Sequence, residues 1–170
     1  MPSCERAADA LGVAALRDAD VGDLDAIVDD TDRRRAHHIV TENRRTIDAA
    51  TALADGNVER FGRLMSESHV SLRDDFEVSG PGLDAIVEIA GDTPGCLGAR
   101  MTGGGFGGCI VGLVKTSAAR SIIAHIEKRY KEETNIDATS YVSKPGRGAF
   151  VIAKPDPPRD RARLVTIGAA

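Results

Sequence analysis

Apolar residues recur at helical spacing through the first half of the chain and gather into short β-branched runs in the second. Ala7, Ala8 and Leu11 share one face of an opening helix that Gly12 can end in the left-handed conformation. After a short turn to Leu16, the positions of Leu24, Ile27 and Val28 predict a brief helix from Asp23. Ala36, Ile39, Val40, Asn43, Ile47, Ala50 and Leu53 then mark a long helix from Arg33, closed by Gly56. Asn57 is the expected N-cap of the next helix, with Val58, Phe61, Leu64, Met65 and Leu72 inward, and the acidic stretch Arg73 to Glu77 interrupts the pattern. Ser79 ahead of Pro81 predicts a capped helix start with Leu83, Ile86, Val87 and Ile89 facing inward and Gly91 as the stop.

The pattern changes at Pro94-Gly95. Leu97 to Thr102 and Cys109 to Val114 read as strands, Ala118 to Glu133 returns to helical spacing through Ile122, Ile123, Ile126 and Tyr130, and Ser140 to Ser143 and Ala149 to Ala153 read as two further strands. This is an α+β layout, helices plus a small antiparallel sheet, with the order of a ferredoxin-like split βαβ packed against upstream helices. One domain is expected over 1–154. The proline-rich, charged run from Pro155 to Arg161 opens a loose tail over 155–170.

Composition narrows the partners. With 22 Lys+Arg against 26 Asp+Glu over 170 residues, the chain has no broad cationic surface for tracking nucleic acid. Its densest basic run, Arg33, Arg34 and Arg35, follows Asp29, Asp30 and Asp32 and reads as a solvated helix start. Aromatics make up 4% of residues and Trp is lacking, which also argues against stacking platforms for single strands. No apolar run approaches the ~20 residues of a membrane helix, so no membrane partner is expected. Cys4, Cys96 and Cys109 are odd in number and show no C-x-x-C spacing, which points to a reduced, cytoplasmic setting.

The most informative segment is Gly98 to Cys109, where Gly103, Gly104, Gly105, Gly107 and Gly108 surround Phe106 directly after Thr102. Glycine loses more conformational entropy on folding than any other residue, so such density calls for unusual dihedrals or close approach. Successive glycine amides can line an anion-binding concavity without a charged side chain. A hairpin tip that only lets two backbones cross is the competing reading. Gly103, Gly105 and Gly108 satisfy G-x-G-x-x-G, but the dinucleotide fingerprint must open a helix, whereas Cys109-Ile110-Val111 begins a strand. No Gly-Lys-Ser or Gly-Lys-Thr follows, so a P-loop fails as well.

This loop, with Ser68 to Ser79 (SHVSLRDDFEVS), Leu83 to Ala90 (LDAIVEIA), the upstream His38 to Asn43 and the opening Cys4-Glu5, resembles the C-terminal half of galactokinases, members of the GHMP family of small-molecule kinases, over roughly Ser3 to Lys154. The resemblance implies the GHMP kinase C-terminal domain fold and transfer of the γ-phosphoryl group of ATP to the C1 hydroxyl of galactose, with Mg as the metal. It implies that Thr102, Gly103, Gly104, Gly105, Gly107 and Gly108 contact phosphate. Neither a catalytic residue nor a metal ligand is expected in this chain. In the family the catalytic aspartate, the sugar-contacting motif and the loop under the ATP phosphates lie in an N-terminal half, for which this sequence shows no counterpart. The partners implied are ATP and galactose through a complete enzyme, a separate chain carrying that half is one candidate partner that the sequence leaves open, and the present chain is expected to be inactive alone. A non-catalytic binding or regulatory module and a vestigial fragment are the alternatives. On the phosphate reading, a bulky residue at Gly105 should block phosphate access while leaving the strands intact.

Other polar residues carry less. Asp74 and Asp75 read as loop acceptors beside Arg73 rather than a metal or base pair. His37, His38, His69 and His125 lack ligand spacing, and Ser68-His69 is no nucleophilic pair by adjacency alone. Arg100 either leans toward phosphate or forms an ion pair. Gly80-Pro81-Gly82 lacks the acid that many relatives place after the proline, a loss of about 0.3–1 kcal/mol of helix-start electrostatics.

Overall fold

The structure, a computed structural model, describes residues 2–144 and 146. The chain divides into two compact units, Met1–Ser140 and Tyr141–Ala170. The first contains α1 (Pro2–Leu11), 3-10 turns at Leu16–Asp18 and Val21–Ala26, α2 (Asp30–Ala54), α3 (Val58–Asp74), α4 (Pro81–Asp92), the hairpin β1 (Cys96–Thr102) and β2 (Cys109–Val114), a 3-10 turn at Thr116–Ala118, and α5 (Ala119–Thr134). β1 and β2 pair antiparallel from Thr102 opposite Cys109 to Cys96 opposite Val114, with one irregularity between Cys96 and Gly98. This is the expected layout of helices with a small antiparallel sheet. Residues Ser140 to Ser143 do not form the expected strand: Tyr141 and Val142 are exposed, and no described segment pairs with them to complete a ladder. Ala149 to Ala153 and the tail over 155–170 lie outside the described residues.

Helix ends show which local signals prevailed. Gly12 and Gly56 take φ of +65° and +68° as helix stops. Asn57 caps α3 by accepting the Arg60 amide at 3.0 Å. α2 starts three residues before Arg33, because Asp29 caps it through the Asp32 amide at 2.8 Å. Ser79 does not cap α4. Gly80 holds that position without a side-chain bond, ahead of Pro81, and α4 runs through Gly91 to Asp92. Ile47, Leu53 and Val58, read at helical spacing, are exposed on their helices, and Val28, expected in a helix from Asp23, is exposed in the link before α2.

Two cores organise the packing. α1 and α2 with their connecting turns enclose Ala7, Ala8, Leu16, Leu24, Ile27, Ala36 and Val40. Beside them, Arg6 forks onto the buried Asp32 carboxylate at 2.7 and 2.5 Å, and this bonding holds the carboxyl below its ordinary range. α4, β1 and α5 enclose Val87, Ile89, Ala99, Ile122, Ile126 and Tyr130.

α3 lies on β1 through bare backbone. A Cβ on Gly98 would stand 1.9 Å from the Gly62 carbonyl oxygen, and a Cβ on Gly62 would stand 2.1 Å from that of Leu97. On the other side of α3, His38 of α2 is buried against Ser71, Nδ1 to Oγ 2.9 Å. Ser71 gives its only hydroxyl proton to Asp75 at 2.7 Å. The His38 contact therefore requires the ring to donate from Nδ1. Burial depresses the His38 pKa, opposed by Glu42 and Asp75 and assisted by Arg45 and Arg100.

Gly62→Ala and Gly98→Ala should each lower unfolding free energy by about 3 kcal/mol or more in denaturant titrations, because backbone must move; for Gly62 this outweighs the ~1 kcal/mol that alanine offers a helix. Gly91→Ala, where a Cβ meets nothing within 4 Å, should stabilise by about 0.5–1 kcal/mol. Equal effects at the three sites would refute the close-crossing account. A depressed folded pKa means that stability from neutral His38 is complete above the free-histidine value near ~6.5 and declines as pH falls below it. The thermal midpoint should accordingly drop between about pH 7 and pH 5. His38→Asn, which keeps a donor near the Nδ1 position, should reduce this dependence without abolishing it, since burial also depresses His69.

Candidate functional site

The glycine loop joins β1 to β2 and turns by adopting dihedrals closed to most side chains. Gly103, Gly105, Gly107 and Gly108 have φ of +89°, +87°, +149° and +109°, and Phe106 between them is itself at +61°. For a bulky residue that conformation costs on the order of 1–3 kcal/mol and needs support from its surroundings. The support is the segment between α3 and α4: the Phe106 amide donates to the Val78 carbonyl at 2.7 Å. Gly105 lies so close to the same carbonyl that a Cβ would stand 2.1 Å from the oxygen. A bulky residue at Gly105 would thus displace the loop itself, rather than only obstruct a ligand as its sequence context implied. Gly104 differs, with no positive φ and open space where a Cβ would stand.

Among the described residues, Phe106 is the one loop member whose amide reaches a protein acceptor. The glycine amides around it are unspent donors at an exposed tip, the arrangement an anion concavity requires. Thr102 stands exposed at the end of β1, opposite Cys109, and the Phe106 ring is 78% exposed.

The abutment at Val78 is held from α2. Arg34 and Arg35 grip Glu77 at 2.6 and 2.5 Å, Arg34 also donates to the Asp74 carbonyl at 3.2 Å, and Arg35 donates to the Asp75 carbonyl. The arginine bonds keep the Glu77 carboxyl below its ordinary range, and Glu77 sits at φ +54°. Phe76 packs between the His38 ring, 4.8 Å away centroid to centroid, and the Arg35 guanidinium at 5.8 Å. Within the basic run Arg33 stays an exposed helix-start residue paired with Asp30, whereas Arg34 and Arg35 pin the loop that carries Val78. Sequence reading missed this because charge adjacency to Asp29, Asp30 and Asp32 is local, whereas the partner lies more than forty positions downstream.

The remaining polar candidates are spent within the fold. Asp75 takes Ser71 and faces His37 Nδ1 at 3.0 Å, while Asp74 pairs with Arg73 at 2.7 Å; neither carboxylate binds loop amides as the sequence implied. Arg100 meets Glu42 at 3.1 Å and the Met101 carbonyl at 3.1 Å, the ion-pair alternative rather than the phosphate one. Ser68 donates to Glu42 at 2.6 Å. Burial pushes the Glu42 carboxyl up, but Ser68, Arg45 and Arg100 together hold it below its ordinary range. Glu42, Arg45, Ser68 and Arg100 line the polar end of a cleft of about 370 Å³ whose walls include Phe61, Leu64 and Met65. Among the described residues no three His, Cys, Asp or Glu side chains gather as metal ligands. No described helix is long and apolar enough to cross a membrane.

Comparison with known proteins agrees with this geometry. The family profile described as GHMP kinases C terminal matches residues 49–132, a span from α2 into α5 that includes the glycine loop. Galactokinase of Homo sapiens is 49% identical over 152 residues, covering 88% of this chain, and that of Canis lupus familiaris is 48% identical over the same length. The chain spans 38% of the length of these curated relatives. The crystal structure of Lactococcus lactis galactokinase complexed with galactose superposes with a TM-score of 0.78 at 36% identity, over 81% of this chain and 38% of that one. With sequence and fold in agreement, the chain carries a GHMP kinase C-terminal domain, similar to that of galactokinases.

Proposed function

We propose that this chain supplies the C-terminal part of a galactokinase, an enzyme moving the γ-phosphoryl group of ATP to the C1 hydroxyl of galactose. The domain runs to Lys154 on this reading, with 155–170 as a tail. The observation that carries the proposal is the glycine loop, propped on Val78 with its glycine amides free to donate. Phosphoryl transfer spreads negative charge over the oxygens of the moving group, and preorganised amide donors stabilise such charge without reorganising. Thr102, Gly103, Gly104, Gly105, Gly107 and Gly108 fill that role here, closing on phosphate and sugar from one side. The similarity to Lactococcus lactis galactokinase complexed with galactose, together with the galactokinase relatives, supports the sugar assignment. ATP is the phosphoryl donor. On this reading the metal and the group that orients the attacking hydroxyl belong to an N-terminal half. This makes the chain inactive alone and the N-terminal half its partner.

The decisive test is coupled ATP-to-ADP turnover with galactose. Turnover should be at background for the purified chain and should rise when an N-terminal galactokinase half is added. If the halves associate and turnover stays at background, the catalytic reading fails. ATP binding by the chain without turnover in the mixture would instead favour a non-catalytic binding module, a reading open because the loop lies wholly within this chain. Gly104→Val separates loop chemistry from loop folding. Stability should stay within about 0.5 kcal/mol of the parent, as for a surface site, while the turnover of the mixture falls at least about tenfold.

A further inference from the structure

His69 is 3% exposed, lies on the last turns of α3, and takes no part in the phosphate contact just described. Its Nδ1 accepts the Met101 amide at 3.2 Å. A ring nitrogen that accepts carries no proton, so the neutral imidazole holds its hydrogen on Nε2. Nε2 faces Asp84 Oδ1 in the first turn of α4 at 3.3 Å, an electrostatic contact outside hydrogen-bond geometry, and neither buried atom has a hydrogen-bond partner among the described residues. One ring thus ties three elements at one point. Met101 immediately precedes Thr102 and the glycine loop, and α4 begins just after Val78, Ser79 and Gly80, the segment on which the loop rests.

We infer that His69, as the neutral ring protonated on Nε2, is the positioning residue of the glycine loop, holding the end of β1 and the start of α4 at the spacing that lets Phe106 reach Val78. Its functional meaning rests on the loop being the phosphate contact, but its structural content does not. The charged groups around the ring are Asp84 from α4, Arg100 from β1, and Arg73 and Asp74 on α3 itself. Burial lowers the ring's affinity for a second proton, Asp84 partly restores it, and Arg73 and Arg100 oppose it. A second proton on Nδ1 would remove the acceptor for the Met101 amide and turn the ring toward Asp84 alone. The loop would then be held at one abutment instead of two.

The experiment uses the full chain, labelled with ¹⁵N, and needs no nucleotide. Ring ¹⁵N shifts at neutral pH should show the Nε2–H tautomer for His69. Amide protection at Met101 and Phe106 should fall about tenfold or more as the ring is protonated, relative to Ile126 in the α4–β1–α5 core, because local opening precedes global unfolding. His69→Asn keeps an acceptor near the Nδ1 position; it should retain Phe106 protection and remove its pH dependence. His69→Leu should lose that protection with Ile126 unchanged. The opposite tautomer overturns the inference, as does Phe106 protection that follows neither pH nor the His69→Asn substitution. A purely structural role would lower Ile126 and Phe106 together, and the parent pH series reads this even if His69→Leu fails to fold. Turnover staying at background in the mixed halves alongside the expected protection pattern would sink the phosphate-transfer reading while leaving the role of His69 intact.

Discussion

The approach of α3 to β1 through Gly62 and Gly98 is the constraint on which the rest of the structure depends. With no side chain between helix and strand, the residues further along each element meet at hydrogen-bonding distance. From Gly62 to His69 the helix advances about 10.5 Å, and from Gly98 to Met101 the strand advances about 10 Å, so the two elements keep step. The second meeting point is the His69–Met101 bond at 3.2 Å, and between the two Ser68 and Arg100 converge on Glu42 at 2.6 and 3.1 Å. Side chains at the crossing would separate the elements and disconnect all three contacts.

From that crossing, order passes to the loop by two routes. Along β1 it runs through Met101 to Thr102. Through α2 it runs from Arg34 and Arg35 to Glu77 and on to Val78. Both routes end on a loop whose dihedrals are unfavourable for a free chain, and Phe106 at φ +61° shows that the scaffold, not local preference, sets the conformation. The side-chain charges nearby neutralise one another inside the fold. What remains unpaired around Phe106 among the described residues is glycine amides.

Such a division suits a chain that carries one domain of a GHMP kinase. The glycine loop is built on strand ends and propped from behind, while the cleft beside Glu42 keeps an apolar wall and a neutralised polar end. The exposed Ile47, Leu53 and Val58 show that spacing identifies a helix face without showing what covers it.

Helices, hairpin and glycine loop were legible in the residues because each rests on local physics. Periodicity marks a helix, Asn57 and Gly56 mark its limits, β-branching marks Cys109 to Val114, and five glycines around Phe106 announce dihedrals that other residues resist. The motifs from Ser68 to Ser79 and from Gly98 to Cys109 carried the family. The sequence by itself therefore determined which elements form and which loop is chemically special. Only the tertiary structure decided that Gly80 rather than Ser79 caps α4, that Gly105 is committed to Val78 while Gly104 is not, that Arg34 and Arg35 are structural, and that His38 and His69 hold opposite tautomers. Apart from the α4 cap, each of these depends on a partner tens of residues away, and a hydrogen bond or steric contact of that kind leaves no periodic trace along the chain.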